Sequence, residues 1–292
     1  MYTSIRGMNH FDIGKTSVSV KKFSSELHLY IDKAKKLLEL AYAFKKSIPK
    51  YTTSKPALEG KKYELLIHNI LKYTTYQNKL FHTQKESELG GCSSDNDIMC
   101  KFNNTKFGIE AKKCGTPDWM QCTIKFNSNQ KKWYLDKGKI PDQCKNIFNT
   151  FLSDIVLFHD HNPPFIERQM THEEWLAVKS MSSDFNDMYI DIPNDTISKL
   201  YKAKGCHYIQ ISDYGLYRLG DDICDFGVPE FRVDQQIRIR IKVHSRKNTK
   251  GFCDLSVTAA CQPKHIKHLE KSNYSLDNVY QLPVGLVYHF TC

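Results

Sequence analysis

The two alternating runs that flank Asn103-Asn104-Thr105 constrain the fold more than any other part of the sequence. In each run, apolar residues recur at every second position, which is the pattern of a half-buried β-strand. The short polar segment between the runs is typical of a tight turn. The sequence therefore predicts a β-hairpin whose polar face carries Asp97, Glu110 and Lys112.

Two carboxylates and a lysine on one surface suit phosphodiester hydrolysis. Asp97 and Glu110 would supply hard oxygen ligands for Mg²⁺, with Mn²⁺ as an alternative, and substrate phosphate oxygens would complete the coordination. The cation would polarise the phosphate and lower the pKa of an attacking water. Lys112 would orient that water or balance the charge on phosphorus. Because repelling carboxylates cost stability, chemistry explains them better than the alternative of an ordinary solvated hairpin.

Asp97, followed by Glu110-Ala111-Lys112 on the next strand, resembles the Asp…Glu-x-Lys core of the PD-(D/E)XK nuclease superfamily. That superfamily includes many type II restriction endonucleases and the archaeal Holliday-junction resolvases. The resemblance covers roughly residues 56–160, and Asn96 stands where the family commonly has proline. It implies metal-dependent DNA cleavage, with Asp97 and Glu110 as metal ligands and Lys112 as the catalytic lysine.

The family usually places one more glutamate on a helix just before the hairpin. Glu64 occupies that position, at the edge of the apolar stripe of a predicted helix, and the resemblance implies an accessory catalytic role for it. Glu86 and Glu88 are alternatives to Glu64, and Asp95 is an alternative to Asp97. Asp97 is preferred because it continues directly into the alternating strand.

The net charge and the cysteine spacing narrow the possible classes of function further. A formal net charge of +10 and a pI near 9.0 favour a polyanionic partner such as nucleic acid. None of the ten cysteines forms a CxxC pair, so structural zinc is not expected. Without a signal peptide or an apolar run of about 20 residues, the expected location is intracellular: cytoplasmic, or nuclear in a eukaryote or virus.

The predicted fold class is α/β (α+β), with a mixed central β-sheet flanked by helices in a restriction-endonuclease-like core. Three regions are expected: an N-terminal helical arm at 1–55, a nuclease core at 56–160 and a β-rich C-terminal part at 161–292. The C-terminal part either forms a recognition region of its own or packs with the core as one domain. An apolar run at 154–158 predicts a buried strand in the core.

A row of cations in the C-terminal part predicts DNA recognition. In residues 236–243, isoleucine and valine alternate with arginine and lysine, as in a strand with one core face and one cationic face. Arginine can bind guanine or phosphate through two hydrogen bonds at once. The candidate DNA-binding residues are Gln121, Arg218, Arg238, Arg240, Lys242 and Arg246. The alternative is an ordinary exposed strand paired with Asp221, Asp222 and Asp225.

These features predict a Mg²⁺-dependent, sequence-specific endonuclease that cuts double-stranded DNA. A symmetric duplex site would imply a homodimer, because each strand needs its own active centre. A repair or viral nuclease of the same superfamily is one alternative. Another is a basic nucleic-acid-binding protein that keeps the fold without cutting.

Overall fold

The structure is a computed structural model that describes residues 28, 31, 32, 35, 55–77, 79–89, 96–102, 104–116, 118–135, 140–153 and 155–289. The chain divides into two compact units, Met1–Thr53 and Ser54–Cys292. In the first unit, the four described residues are helical. The rest of the predicted N-terminal arm lies outside the described residues.

The second unit is a mixture of helices and strands, as predicted. Its helices are α1 (Lys55–Lys72), α2 (Asp142–Ser153), α3 (His172–Met181) and α4 (Thr196–Ala203). Its strands are β1 (Thr74–Tyr76), β2 (Lys79–Leu80), β3 (His82–Thr83), β4 (Ile98–Phe102), β5 (Thr105–Lys112), β6 (Met120–Asn127), β7 (Lys132–Leu135), β8 (Met188–Ile192), β9 (Cys206–Ile211), β10 (Gly215–Arg218), β11 (Gln235–Ser245), β12 (Asp254–Pro263) and β13 (Leu286–Tyr288). The α/β class is therefore confirmed.

The strands form three sheets. The site sheet has the order β10-β9-β5-β4-β3, and the arginine sheet has the order β7-β6-β12-β11-β8. A small third sheet has the order β13-β1-β2. The site sheet is mixed, because β5 pairs antiparallel with β4 and parallel with β9. Residues of the predicted C-terminal part thus complete the sheet that holds the predicted core hairpin.

The predicted β4–β5 hairpin forms, with Ile98 opposite Ile109 and Cys100 opposite Phe107, although Thr105, expected in the turn, is the first residue of β5. The side chains of these two pairs are fully buried, and they pack against the apolar stripe of α1, to which Ile67 belongs. Helix α1 therefore covers one face of the hairpin. The other face of β5 is also enclosed, because the successive residues 107–111, which point to alternate faces, are all buried.

The predicted strand at 154–158 is wrong. Residues 155–157 have no regular structure, and a short 3-10 helix follows at Phe158–Asp160. Phe158 and His159 have positive φ angles of 55° and 50°, which turn the chain away from an extended path. Phe158 still enters the core, where it packs near Trp133. The apolar side chain of Phe158 is therefore buried as expected, but the backbone bends at this position and forms no strand.

The larger of two hydrophobic clusters lies under the arginine sheet. Alternate residues of β11 and β12, including Ile237, Ile239, Ala259 and Cys261, point into it and are buried. The opposite face of that sheet carries the polar residues between them. Among the described residues, no helix has the length and apolarity that crossing a membrane would need.

Candidate active site

The hairpin brings the three predicted catalytic residues together. Asp97 lies immediately before β4, and Glu110 and Lys112 lie near the end of β5. The Lys112 Nζ lies 2.6 Å from Glu110 Oε1 and 3.7 Å from Asp97 Oδ2, so one ammonium group contacts both carboxylates. Asp97 Oδ2 also accepts a hydrogen bond of 2.9 Å from the backbone N–H of Ala111. This hydrogen bond holds the Asp97 side chain against β5.

Burial distinguishes this cluster from a solvated hairpin. The side chains of Glu110, Asp97 and Lys112 are 1%, 9% and 15% exposed. The hairpin strands fold as predicted, but the site face is enclosed, because Tyr201 of α4 lies near Lys112 and Lys204 contacts Glu110. The alternative of an ordinary exposed hairpin is therefore wrong. Asp95, the other candidate for the first carboxylate, lies outside the described residues.

Glu64 belongs to the same electrostatic environment. It lies on α1, where burial, followed by the charge of Asp97, raises the pKa of its carboxyl to about 7. Its neighbour Tyr63 anchors this part of the helix, because the Tyr63 hydroxyl donates a hydrogen bond of 2.7 Å to Asp277. The alternatives Glu86 and Glu88 lie on a short 3-10 helix instead, where Glu88 accepts a hydrogen bond from the backbone N–H of Lys85.

A second lysine, which the sequence did not indicate, completes the cluster. Lys204 follows α4, and its Nζ lies 3.0 Å from Glu110 Oε2 with only 4% of the side chain exposed. Glu110 therefore has an ammonium group on each of its two oxygens. The ring of Tyr201 lies near both cations, with Lys112 Nζ at 5.6 Å and Lys204 Nζ at 5.3 Å from its centroid. The Cys206 thiol also donates to Glu110 Oε2.

The charges within the cluster favour the ionised forms of Glu110 and Lys112. Burial would raise the pKa of Glu110, but Lys112 and Lys204 outweigh it and the pKa is lowered. Burial would likewise lower the pKa of Lys112, yet Glu110 outweighs it and the pKa lies well above its usual value. Asp97 differs, because burial and then Glu110 raise its pKa. At neutral pH, Lys112 is therefore a cation beside an ionised Glu110.

The donor chemistry at Asp97 and Glu110 fits a hard divalent cation. These two carboxylates already share one positive charge, the Lys112 ammonium, and carboxylate oxygens are what Mg²⁺ and Mn²⁺ select. Across the part of the chain that the structure describes, no three His, Cys, Asp or Glu side chains are grouped so as to hold a metal alone. Asp97 and Glu110 would leave further coordination positions of such a cation open to water or substrate phosphate.

The candidate DNA-binding residues divide between the two large sheets. Cross-strand partners share a face, so the register places Gln121, Ala260 and Arg238 in one row on the polar face of the arginine sheet. Arg240 and Lys242 follow on the same strand and face. Arg246 lies just beyond β11 and is exposed.

Arg218 is not part of that surface. It lies on β10 of the site sheet, where its Nη2 is 3.6 Å from Glu230 Oε2 and its Nη1 donates to the carbonyl of Gly220. The structure thus places four of the six candidates on one sheet, Arg246 just past the end of β11, and Arg218 on the other sheet.

Arg238 and Arg240 have acidic partners, but not the predicted ones. Arg238 Nη1 lies 3.4 Å from Asp118 Oδ1, and its Nε lies 3.0 Å from Asp187 Oδ2. Arg240 Nη2 lies 3.2 Å from Asp118 Oδ2. Asp222, an expected partner, instead accepts hydrogen bonds from the Tyr208 hydroxyl and from backbone N–H groups. Two of the cations are therefore partly neutralised in the free protein.

Comparison with known proteins identifies no relative of this chain. The chain matches no family model, no curated protein and no solved structure.

Proposed function

We propose that the chain is a Mg²⁺-dependent endonuclease of the type II restriction kind, which hydrolyses phosphodiester bonds in double-stranded DNA. The observation that carries this proposal is the contact of the Lys112 ammonium with both Asp97 and Glu110 inside the sheet. Two buried carboxylates provide oxygen ligands for a divalent cation, and that cation together with the Lys112 ammonium could balance the charge of a phosphate group. The resemblance to the PD-(D/E)XK nucleases supports the same reaction.

Each residue of the cluster has a role in this proposal. Asp97 and Glu110 would hold Mg²⁺ or Mn²⁺, which when bound would supply Lewis-acid polarisation of the scissile phosphate. Lys112 stays protonated and stabilises the negative charge that develops on the phosphoryl oxygens. Glu64, with a pKa of about 7, exchanges a proton near neutral pH beside the reacting groups.

The polar face of the arginine sheet is the surface that we propose for the duplex. Arg238, Arg240 and Lys242 form a row on β11, and Gln121 lies on the same face. Sequence-specific recognition, a homodimer and an intracellular location remain predictions that accompany this function. For the arginines to contact DNA, phosphate or base edges would have to replace Asp118 and Asp187 as their partners.

Cleavage of supercoiled plasmid in Mg²⁺, with EDTA as the negative control, tests the catalytic assignment. Lys112→Ala is expected to lower the rate at least about a hundredfold, because it removes the cation that contacts both carboxylates. Lys113→Ala is the matched control, since Lys113 is the next residue, is 40% exposed and pairs with Glu59. Equal cleavage by Lys112→Ala and Lys113→Ala would exclude the proposed role of Lys112.

A second candidate function is a basic nucleic-acid-binding protein that does not cut. The charge balance of the cluster favours it, because Asp97 and Glu110 are already matched by Lys112 and Lys204 without a metal. Duplex binding measured in Ca²⁺ or EDTA, beside cleavage measured in Mg²⁺, separates the two. Binding under both conditions without cleavage by the parent protein supports the second function.

A further inference from the structure

Lys204 is the most buried cation of the described chain that has a carboxylate partner. Its ammonium contacts Glu110 Oε2 at 3.0 Å, and the residues lie 94 positions apart in the sequence. Both side chains are almost completely enclosed, at 4% and 1% exposed. An ammonium group loses several kcal/mol of hydration on burial. A lysine on the surface would avoid that cost, so the burial of Lys204 needs a specific explanation.

The contact divides the two oxygens of Glu110 between two cations. Lys112 takes Oε1 at 2.6 Å, and Lys204 takes Oε2 at 3.0 Å. The Tyr201 ring lies within 5.6 Å of both ammonium groups and so borders this part of the cluster. A cation that enters between Asp97 and Glu110 must displace Lys112 from Oε1, whereas Lys204 blocks the other oxygen.

The same contact sets the net charge of the cluster. When ionised, Asp97 and Glu110 are matched by the two ammonium groups, so the four charges cancel. An added divalent cation would leave an excess of positive charge in an enclosed space, where charges interact strongly. A phosphate group that arrives with the cation lowers this excess.

We propose that Lys204 is a positioning residue of this site, which holds one oxygen of Glu110 and weakens the binding of a divalent cation to the DNA-free protein. This inference rests on the proposed function and extends it, since it makes cation binding depend on the phosphate of the substrate. Lys204 acts through Glu110 and does not itself contact the reacting atoms.

Calorimetric titration of the full chain with Mn²⁺ in the absence of DNA tests the inference. Lys204→Met removes the charge and frees Glu110 Oε2, so we expect Mn²⁺ to bind about tenfold more tightly than to the parent protein. Lys204→Arg keeps the charge and is expected to restore the affinity of the parent. Lys199→Met is the matched control, because Lys199 lies on α4, is 59% exposed and pairs with Asp195.

Circular dichroism and thermal unfolding establish that each variant is folded. If Lys204→Met does not fold, Lys204→Gln takes its place, because its amide still donates to Glu110 without a charge. The inference is overturned if the neutral variant that folds binds Mn²⁺ no more tightly than the parent, or if Lys199→Met shows the same gain. A merely structural role for Lys204 would not tighten cation binding.

The result of the Mn²⁺ titration can be distinguished from the result of the plasmid-cleavage assay. If the parent does not cleave plasmid but Lys204→Met still binds Mn²⁺ more tightly, the nuclease function fails and the role of Lys204 stands. If the parent cleaves and the affinities are equal, the nuclease function stands and the role of Lys204 fails.

Discussion

Glu64→Gln is expected to change how the stability of the protein depends on pH. Burial, and then the charges of Asp97 and Glu110, raise the pKa of Glu64 from its usual 4.5 to about 7. The folded state therefore holds a proton that the unfolded state releases between these two values. The stabilisation is fully present below pH 4.5 and is lost as the pH rises through about 7.

The size of this loss follows from the difference between the two pKa values. At about 1.4 kcal/mol for each pKa unit, the rise from 4.5 to about 7 corresponds to about 3.5 kcal/mol in the free energy of unfolding. Glu64 is partly exposed, so solvent lowers the figure, and about 1–3 kcal/mol is expected. Glutamine resembles the protonated carboxyl and stays neutral, so the variant avoids this loss.

Urea unfolding at pH 4.5, 6 and 8, in EDTA and at constant ionic strength, measures the effect. The parent and Glu64→Gln should have similar stability at the lowest pH, and the variant should be more stable at pH 8. Glu59→Gln is the control from the same helix, because the hydrogen bond from Lys62 lowers the pKa of Glu59. A constant difference between parent and Glu64→Gln at all three pH values would refute the electrostatic account.

Three further predictions concern single residues. Tyr201→Phe should leave stability unchanged or raise it by up to about 1 kcal/mol in urea unfolding, because the buried hydroxyl has no hydrogen-bond partner among the described residues. A clear loss of stability would mean that the hydroxyl does have a hydrogen-bond partner. Gly215→Ala should cost about 2–4 kcal/mol by the same measurement, since φ is +105° and a Cβ would overlap the Tyr274 carbonyl oxygen; an unchanged midpoint would contradict this. Arg238→Ala and Arg240→Ala should weaken binding to the cognate site more than to random DNA in fluorescence anisotropy, whereas equal losses would mean that they contact only phosphates.

The hairpin could be predicted from the sequence because its determinants are local. Alternating apolar residues define the faces of β4 and β5, and the two-residue connection after Phe102 sets the register. The same alternation identified β11. In both strands the predicted inner residues, such as Ile109 and Ile239, are fully buried.

The partners of the site residues could not be predicted, because they come from distant parts of the chain. Lys204 reaches Glu110 only because β9 pairs in parallel with β5, and no local pattern reveals that pairing. In a lysine-rich sequence, a lysine at the end of a helix is also an ordinary surface residue. Asp118 likewise precedes β6 in a connecting segment, so its contact with Arg238 depends on how the arginine sheet assembles.

The two charged clusters support function to different degrees. Around Glu110, three ionised side chains are largely buried, and apolar residues of similar volume would often be as stable or more stable there. Folding alone therefore gives little reason to keep that cluster, whereas a phosphate-directed reaction needs it. Arg240 is 25% exposed and shares Asp118, which is 12% exposed, with Arg238. These arginines therefore already have a carboxylate partner within the protein, which accounts for their position without nucleic acid. The catalytic proposal depends on the cluster around Glu110, and the choice of DNA as its substrate depends on whether the arginines can exchange their aspartates for phosphate.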